Sequence, residues 1–261
     1  MATTFEIATW NVNSIRARLP RVTDWLQQHP VDVLCLQETK VVDDDFPRAA
    51  FVELGYEVAV FGQKTYNGVA LASRLPLEAV VRGLPDAPAD EERRLIAARC
   101  RGVRLVNVYV PNGTALESPR FGFKLRWLER LQAFLAATEA AGEAVIVGGD
   151  FNVAPDDRDV HDPQRWHNRL HCHPDERRAL AGLMGEGLVD LFREQTAEGG
   201  HFTWWDYRAG AFHRGWGLRI DLLLASRALA ADCRSVAIDR EARKGPKPSD
   251  HAPVTARFLL P

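Results

Sequence analysis

The chain has 261 residues, of which 46% are hydrophobic and 26% are charged, and its formal net charge is −2. This composition can fill a large core, and it excludes a polycationic protein, so a nucleic-acid partner would need a local basic face. The amino terminus lacks the pattern of a signal peptide, no apolar run is long enough to span a membrane, and the four scattered cysteines form no CxxC pair, so we expect a cytoplasmic protein with reduced thiols and no membrane partner.

Strand-like runs rich in valine, isoleucine and leucine recur along the chain. In order they cover residues 5–10, 31–37, 56–61, 68–73, 95–100, 104–110, 144–147, 219–225 and 251–259. Apolar residues at helical spacing follow some of these runs, over residues 19–26, 121–135 and 180–184. With no repeat or linker, this order predicts one domain over residues 1–261, with sheets inside and helices outside.

The segment 155–178 is long, charged and rich in histidine. It contains His161, His167, His171 and His173, with Cys172 among them. Zinc ligands normally come in tighter sets, so this spacing favours a surface loop over a zinc site. A long loop in a compact domain is often functional.

Polar side chains stand at the ends of six apolar runs. They are Asn11, Glu38, Tyr109 with Asn107 and Asn112, Asp150 with Asn152, Asp221, and Asp250 with His251. A single asparagine or aspartate at such a position usually makes a turn or caps a helix. Because the ends of neighbouring strands converge, six together predict an active site at one edge of the sheets.

The carboxylates of this set are hard anionic oxygen ligands. Glu38, Asp150, Asp221 and Asp250, helped by the amide oxygens of Asn11 and Asn152, suit Mg²⁺ or Mn²⁺ better than Zn²⁺. Magnesium among carboxylates most often meets a phosphate. Adjacent residues of a strand point to opposite faces, so we expect Asp221 or another carboxylate, and not Asp250, to bond His251.

Seven segments, taken in order, resemble the exonuclease III family of DNA-repair nucleases. They are W-N-V-N-S-I-R-A-R, L-Q-E-T-K, G-Q-K-T-Y-N-G-V-A, G-D-F-N-V-A-P, T-W-W-D-Y-R, G-L-R-I-D-L-L-L-A-S and K-P-S-D-H-A-P-V. The resemblance runs from about residue 5 to residue 258. It implies a four-layer α/β sandwich, with two mostly antiparallel β-sheets packed face to face and flanked by helices.

The resemblance also implies a role for each matching residue. Glu38 looks like the principal metal ligand, supported by Asn11, and Asp150 looks like the residue that activates the attacking water and also binds metal. Asn152 positions the phosphate, His251 contacts a phosphate oxygen, and Asp250 and Asp221 belong to the metal and histidine network. The resemblance also places Asn152, Asp250 and His251 among the residues of the metal site. Tyr109 contacts the phosphate or assists the leaving group. The implied reactions are incision 5′ to abasic sites, 3′→5′ exonuclease action and removal of 3′ blocking groups.

Duplex DNA with abasic sites, nicks or blocked 3′ ends is the partner that the resemblance implies, and we expect a monomer. Arg93, Arg94 and Lys247 lie beside the motifs and are candidate phosphate contacts, although each alone is more often a solvated charge. Trp204 is the candidate wall of the sugar pocket, whereas Trp205 is equally compatible with core packing. Phe212 or Trp216 is a candidate wedge into the duplex, against the commoner role of aromatic residues in the core.

Two residues depart from the commonest family pattern. Asn112 replaces a longer polar residue, and the bulky His167 stands where many members have a small one. A bulky side chain there closes space for a strand that continues past an abasic site, so we expect 3′-end processing with reduced abasic-site incision. The alternatives are a phosphodiesterase for RNA or phosphoinositides and an inactive DNA-binding module.

Overall fold

Two six-stranded sheets form the centre of the protein. The computed structural model describes residues 3–85, 87–88, 92–185 and 187–260. The first sheet has the order β11-β12-β1-β2-β4-β3. Its strands are β1 (Thr3–Asn11), β2 (Val33–Gln37), β3 (Glu57–Phe61), β4 (Val69–Ser73), β11 (Cys233–Ile238) and β12 (Val254–Leu260).

The second sheet has the order β5-β6-β7-β8-β10-β9. Its strands are β5 (Glu78–Arg82), β6 (Leu95–Cys100), β7 (Val103–Tyr109), β8 (Ala144–Asp150), β9 (Leu188–Asp190) and β10 (Asp221–Ser226). Each sheet has one parallel pair at its centre, β1–β2 and β7–β8, and the other strand pairs of the described chain are antiparallel. The predicted sandwich of mostly antiparallel sheets is therefore confirmed.

Helices cover the outer faces of both sheets. They are α1 (Ile15–Gln28), α2 (Arg48–Val52), α3 (Pro119–Ala140), α4 (Pro163–Trp166), α5 (Pro174–Met184), α6 (Leu191–Gln195), α7 (Ala211–Arg214) and α8 (Arg227–Ala230). Trp25 and Leu26 of α1 pack on Leu34 and Leu36 of the first sheet. Leu128 and other apolar residues of α3 pack with α5 on the second sheet. No helix within the described ranges is long and apolar enough to cross a membrane.

The longest helix, α3, begins and ends where its sequence dictates. The Ser118 hydroxyl accepts the Arg120 N–H, Pro119 occupies the first turn, and the chain leaves the helix before Gly142 at φ +78°. Its buried face carries an unexpected Lys124 among the apolar side chains Trp127, Leu128, Leu131 and Leu135.

Three strands were missed from the sequence, β5, β9 and β11. All three are short strands at the edges of the sheets. Residues of β5 and β11 are half-buried or exposed, so they lack the continuous apolar run that marked the inner strands. The last strand begins at Val254 and not at His251, because Pro253 cannot donate a hydrogen bond to the sheet.

A buried amide links the two sheets beneath their polar edge. Asn107 of β7 donates from Nδ2 to the carbonyls of Leu36 (2.9 Å) and Ala70 (2.8 Å) in the first sheet. It accepts from Gln37 Nε2 at 2.7 Å. Asn107 is therefore a cross-link between the sheets and not part of the polar set at the strand ends.

Candidate active site

The predicted polar residues meet at one edge of the sandwich. The parallel strands β7 and β8 end side by side, with Tyr109 opposite Asp150, and β10 begins with Asp221 opposite Asp150. Across the interface between the sheets, β1 ends at Asn11, and Glu38 follows β2. The edge of the sandwich thus brings together residues that lie far apart in the sequence.

Asn11 holds two carboxylates through its amide nitrogen. Its Nδ2 donates to Glu38 Oε1 at 2.8 Å and to Asp150 Oδ2 at 2.9 Å, while its Oδ1 accepts the N–H of Asn13 at 3.0 Å. Because the Asn13 N–H can only donate, it fixes the orientation of this amide. The geometry does not support the expected oxygen ligand from Asn11, and it makes Asn11 a positioning residue for Glu38 and Asp150.

His251 lies between two aspartates. Its Nδ1 is 2.8 Å from Asp221 Oδ2, and its Nε2 is 3.8 Å from Asp150 Oδ2. Burial alone would lower the pKa of His251, but the carboxylates of Asp221 and Asp150 outweigh it and raise this pKa to about 10. The sequence left open whether Asp221 or another carboxylate bonds His251, and the structure shows that Asp221 is the hydrogen-bond partner.

The charge of His251 decides what it can do at this site. Ligand atoms of Glu38, Asp150 and His251 lie within 4.8 Å of one another, a spacing that fits a metal ion. A metal needs a neutral imidazole, whereas a protonated ring only donates hydrogen bonds. Glu38, Asp150 and His251 therefore remain the candidate ligands, and the two carboxylates beside His251 favour its protonated form, in which Glu38 and Asp150 would be the ligands.

Asp150 is buried among these groups. Burial raises the pKa of its carboxyl above the usual range, the His251 charge lowers it, and the Asp221 carboxylate raises it again. Gly149, just before it, brings β8 close to β7, since a Cβ there would lie 2.0 Å from the Val108 carbonyl oxygen. The close approach that this glycine allows is to a neighbouring strand.

Asn152 follows Asp150 in a turn and not in the strand. The strand ends at Asp150, and Asn152 has φ +53°. A strand that continued past Asp150 would also place these two side chains on one side, but here the Asp150 carboxylate accepts the Asn152 N–H at 2.8 Å and the chain turns. The two side chains still lie together. Asn152 Nδ2 donates to the Val110 carbonyl at 3.0 Å, and its Oδ1 accepts from Asn112 at 3.1 Å.

Asp250 lies at the side of the site, away from Asn152. It accepts hydrogen bonds from Asn13 Nδ2 at 2.9 Å and from Trp204 Nε1 at 3.0 Å. Burial opposes its ionisation, but His251, Asn13 and Trp204 together lower the pKa of this carboxyl. Sequence reasoning did not single out Asn13, which appeared only within a motif. Its side chain bonds both Asp250 and the ammonium of Lys40, and this ammonium also contacts Glu38 at 2.8 Å.

Tyr109 presents a hydroxyl that stays protonated. Its side chain is buried, and burial together with the charge of Glu38 raises the pKa of the phenol well above its usual value. Arg94 covers the Tyr109 ring at 4.6 Å, donates to the Tyr109 carbonyl at 3.1 Å and pairs with Glu92. Arg94 is buried, which favours support of Tyr109 over the phosphate contact expected from the sequence.

The other candidate DNA contacts lie around the site. Arg93 is half-buried against Phe61 and donates to the Gly62 carbonyl at 2.6 Å, and Lys247 is exposed. Phe212 is half-buried against Trp205, which lies in the core, and under Arg243.

Histidine and tryptophan rings line the side of the site beyond Asn152. Trp216 stacks on His161, with centroids 6.2 Å apart, and His171 lies 6.3 Å from Trp204. His167 is exposed just after α4. Segment 155–178, expected as irregular surface loop, contains α4 and the start of α5 and buries His171, whose Nδ1 donates to the Asn152 carbonyl at 2.6 Å.

Comparison with known proteins identifies the family to which a chain with this site belongs. The endonuclease/exonuclease/phosphatase family model matches residues 8–251. Exodeoxyribonuclease III of Haemophilus influenzae is 34% identical over 262 residues, which cover 96% of this chain and 98% of that protein.

Solved structures agree with this match. A 3′-5′ exonuclease from Neisseria meningitidis is 46% identical with a TM-score of 0.95, and the match covers 98% of this chain and 100% of that one. An AP endonuclease from Archaeoglobus fulgidus is 42% identical with a TM-score of 0.93, over 97% and 99% of the two chains. A Neisseria 3′ phosphatase bound to a product DNA hairpin is likewise 46% identical, with a TM-score of 0.95 over 97% and 99%. The chain therefore belongs to the endonuclease/exonuclease/phosphatase family and, within it, to the exonuclease III family of DNA-repair nucleases.

Proposed function

We propose that this nuclease acts as a monomeric single domain on 3′ ends of duplex DNA. It uses Mg²⁺, with Mn²⁺ as a substitute, for 3′→5′ exonuclease action and for removal of 3′ blocking groups, and it incises abasic sites more slowly. The observation that carries the chemistry is the position of His251, whose Nδ1 is 2.8 Å from Asp221 Oδ2 and whose Nε2 is 3.8 Å from Asp150 Oδ2, without a hydrogen bond from Nε2 to any described residue.

The residues present fit a hard divalent cation. Glu38 and Asp150 offer carboxylate oxygens that converge on one amide group, that of Asn11, and carboxylates are the ligands that Mg²⁺ prefers. No cysteine belongs to this cluster, which opposes a soft metal. When bound, Mg²⁺ supplies positive charge that polarises the phosphoryl group and lowers the pKa of a bound water.

Side chains of the protein carry out the proton transfers and bind the phosphate during hydrolysis. The Asp150 carboxylate orients a water molecule and takes its proton as the water oxygen bonds to phosphorus. The His251 Nε2–H and the second Nδ2 hydrogen of Asn152, which no described residue accepts, donate to phosphate oxygens as negative charge develops. The bond from phosphorus to the 3′ oxygen breaks, and the protonated Tyr109 hydroxyl supplies the proton to the leaving 3′ oxygen.

The preference for 3′ ends rests on the loop after α4. His167 is exposed there, and the same loop buries His171 beside Trp204, the candidate wall of the sugar pocket. A side chain at position 167 therefore lies in the segment that borders this pocket. The related Neisseria proteins, a 3′-5′ exonuclease and a 3′ phosphatase, agree with this preference.

A comparison of three duplexes tests the proposal. With Mg²⁺ present, we expect rapid release of phosphate from a nicked 3′-phosphate duplex, degradation from a 3′-hydroxyl nick, and slower cutting of a central abasic analogue. All three activities stop with EDTA and return with Mg²⁺ or Mn²⁺. Equal rates on the abasic and 3′-phosphate duplexes would refute the preference for 3′ ends, but they would not contradict the proposed mechanism of hydrolysis.

His167→Gly tests the cause of the preference. We expect abasic-site incision to rise about tenfold while 3′-phosphate release stays within about twofold, because the change removes bulk and leaves the catalytic groups in place. His213→Gly, a change at an exposed histidine in the segment around α7, is the matched control. Unchanged incision in His167→Gly would assign the preference to another part of the chain.

A further inference from the structure

Lys124 is a buried cation that the mechanism above does not use. It lies on the buried face of α3, and its side chain and that of Glu176 in α5 are both 0% exposed. A buried ammonium is unfavourable unless it has partners for its charge and its three N–H groups. Lys124 has three, the Glu176 carboxylate and the backbone carbonyls of Asn152 (2.7 Å) and Asn112 (3.2 Å).

Two of these partners belong to the active site. The Asn152 carbonyl accepts from Lys124 Nζ and also from His171 Nδ1, at 2.6 Å. Asn112, whose carbonyl Lys124 also contacts, donates from its side chain to Asn152 Oδ1. A single ammonium therefore holds both asparagines of the site from behind.

The backbone of Asn152 needs such support. Its φ of +53° lies in the left-handed region, which asparagine adopts more readily than most residues with a side chain but which is still sparsely populated. The Asn152 N–H faces the Asp150 carboxylate at 2.8 Å, so a rotation of this residue would also release Asp150. When Lys124 holds the backbone carbonyl of Asn152, it also fixes the position of the Asn152 side-chain carboxamide. Through the backbone N–H of Asn152, it fixes the carboxylate of Asp150 as well.

We propose that the Lys124–Glu176 pair is a positioning pair for hydrolysis, with Lys124 holding the Asn152 carbonyl and Glu176 keeping the ammonium in place. The proposal rests on the function proposed above, because it assumes that Asn152 and Asp150 act on the phosphate. Glu176 is itself held, since its second carboxylate oxygen accepts the N–H of His173 at 3.1 Å, at the start of α5. The pair therefore links α3, α5 and the turn after β8.

A role limited to stability would make a different prediction. Buried ion pairs replaced together by apolar residues of similar volume often leave stability unchanged or raise it, whereas removal of one partner is costly. The double variant Lys124→Met/Glu176→Leu therefore separates positioning from folding. We expect a thermal midpoint near that of the wild type, a KM for 3′-phosphate duplex within about threefold, and a kcat about 10- to 100-fold lower.

A double-mutant cycle with Asn152→Ala identifies the residue through which the pair acts. If Lys124 works through Asn152, adding Asn152→Ala to the double variant lowers kcat no further than Asn152→Ala alone. Arg104→Met/Glu143→Leu is the control, since this ion pair lies at the other end of β7, and its kcat should stay within about twofold.

The possible outcomes decide between the two proposals. Full kcat in a folded Lys124→Met/Glu176→Leu, or additive effects in the cycle, would overturn the positioning role even if Asn152→Ala by itself lowers kcat to a small but measurable value. Full activity in Asn152→Ala would instead overturn the assignment of Asn152 in the proposed function. If the double variant does not fold, Lys124→Met with Glu176→Gln, which keeps the volume and polarity of residue 176, is measured in the same way.

Discussion

Two buried histidines contact the Asp150–Asn152 turn, and their pKa values are shifted in opposite directions. His251 is 4% exposed and His171 is 8% exposed. Two aspartates face His251 and raise its pKa to about 10. His171 faces the Asn152 carbonyl. Its pKa is lowered to about 3, mainly by burial and to a smaller extent by the positive charge of Lys124.

The difference shows that burial keeps an imidazole neutral, as at His171, unless facing carboxylates outweigh it, as at His251. The acidic side, with Glu38, Asp150, Asp221 and His251, concentrates charge where we propose that the metal and the phosphate bind. The neutral side, with Asn152, His171 and Trp204, offers amide groups and aromatic rings. Such a division suits a substrate whose charged phosphate adjoins an uncharged sugar.

The largest effect is expected from the acidic side. Asp150→Asn keeps the shape of the side chain but removes the proton acceptor, so kcat on a 3′-phosphate duplex should fall about 10³-fold, with KM within about threefold. Steady-state kinetics with Mg²⁺ measure both constants. If kcat survives, water activation depends on another residue.

Asp221→Asn sharpens the comparison at His251. The change removes the nearer carboxylate, so the pKa of His251 should fall below about 10 and its charge should be lost at lower pH. We expect kcat at about pH 8 to fall about 10- to 100-fold and the alkaline limb of the pH–rate profile to move toward neutral pH. An unmoved alkaline limb would show that His251 does not control it.

His171 should make stability depend on pH in the acid range. Its folded pKa is below the unfolded value of 6.5, so its contribution is present above pH 6.5 and is lost as pH falls from 6.5 toward 3. Between about pH 7.5 and about pH 5.5 this loss is about 1.4 kcal/mol. Urea unfolding should show a shallower pH dependence for His171→Gln.

His251 provides the contrast for that measurement. Its folded pKa is raised, so its contribution is full below pH 6.5 and is lost as pH rises toward 10. This alkaline loss should persist in His171→Gln, because the two rings titrate in separate windows. Loss of both slopes in the single variant would contradict independent control of the two charges.

The smallest effect is expected where the two sides meet. Trp204→Phe retains an aromatic wall but removes the 3.0 Å hydrogen bond to Asp250, so we expect KM to rise about threefold and kcat to change less than twofold. Trp204→Ala removes the wall as well and should raise KM about tenfold. Equal effects of the two variants would assign the contribution to the hydrogen bond alone.

Much of the site was accessible before the fold was known. Glu38, Asp150, Asp221 and His251 follow or flank apolar runs, and polar residues at strand ends meet at a sheet edge. Strand β6 was predicted to the residue, because it opens with four consecutive buried apolar residues and ends at the buried Cys100. The edge strand β11 could not be, since its exposed and half-buried residues lack that signal.

Apolar periodicity, a local property of the chain, determined the layered α/β class, and the residues at the ends of the apolar runs predicted the site. The motifs, through the family resemblance that they carry, implied the two-sheet sandwich and the family. Only the tertiary structure decided which way the Asn11 amide faces, that the pKa of His251 is raised while that of His171 is lowered, and that Lys124 reaches the back of Asn152. Hydrogen-bond direction and protonation depend on partners from distant segments, such as Asp221 for His251, and these partners exist only after folding.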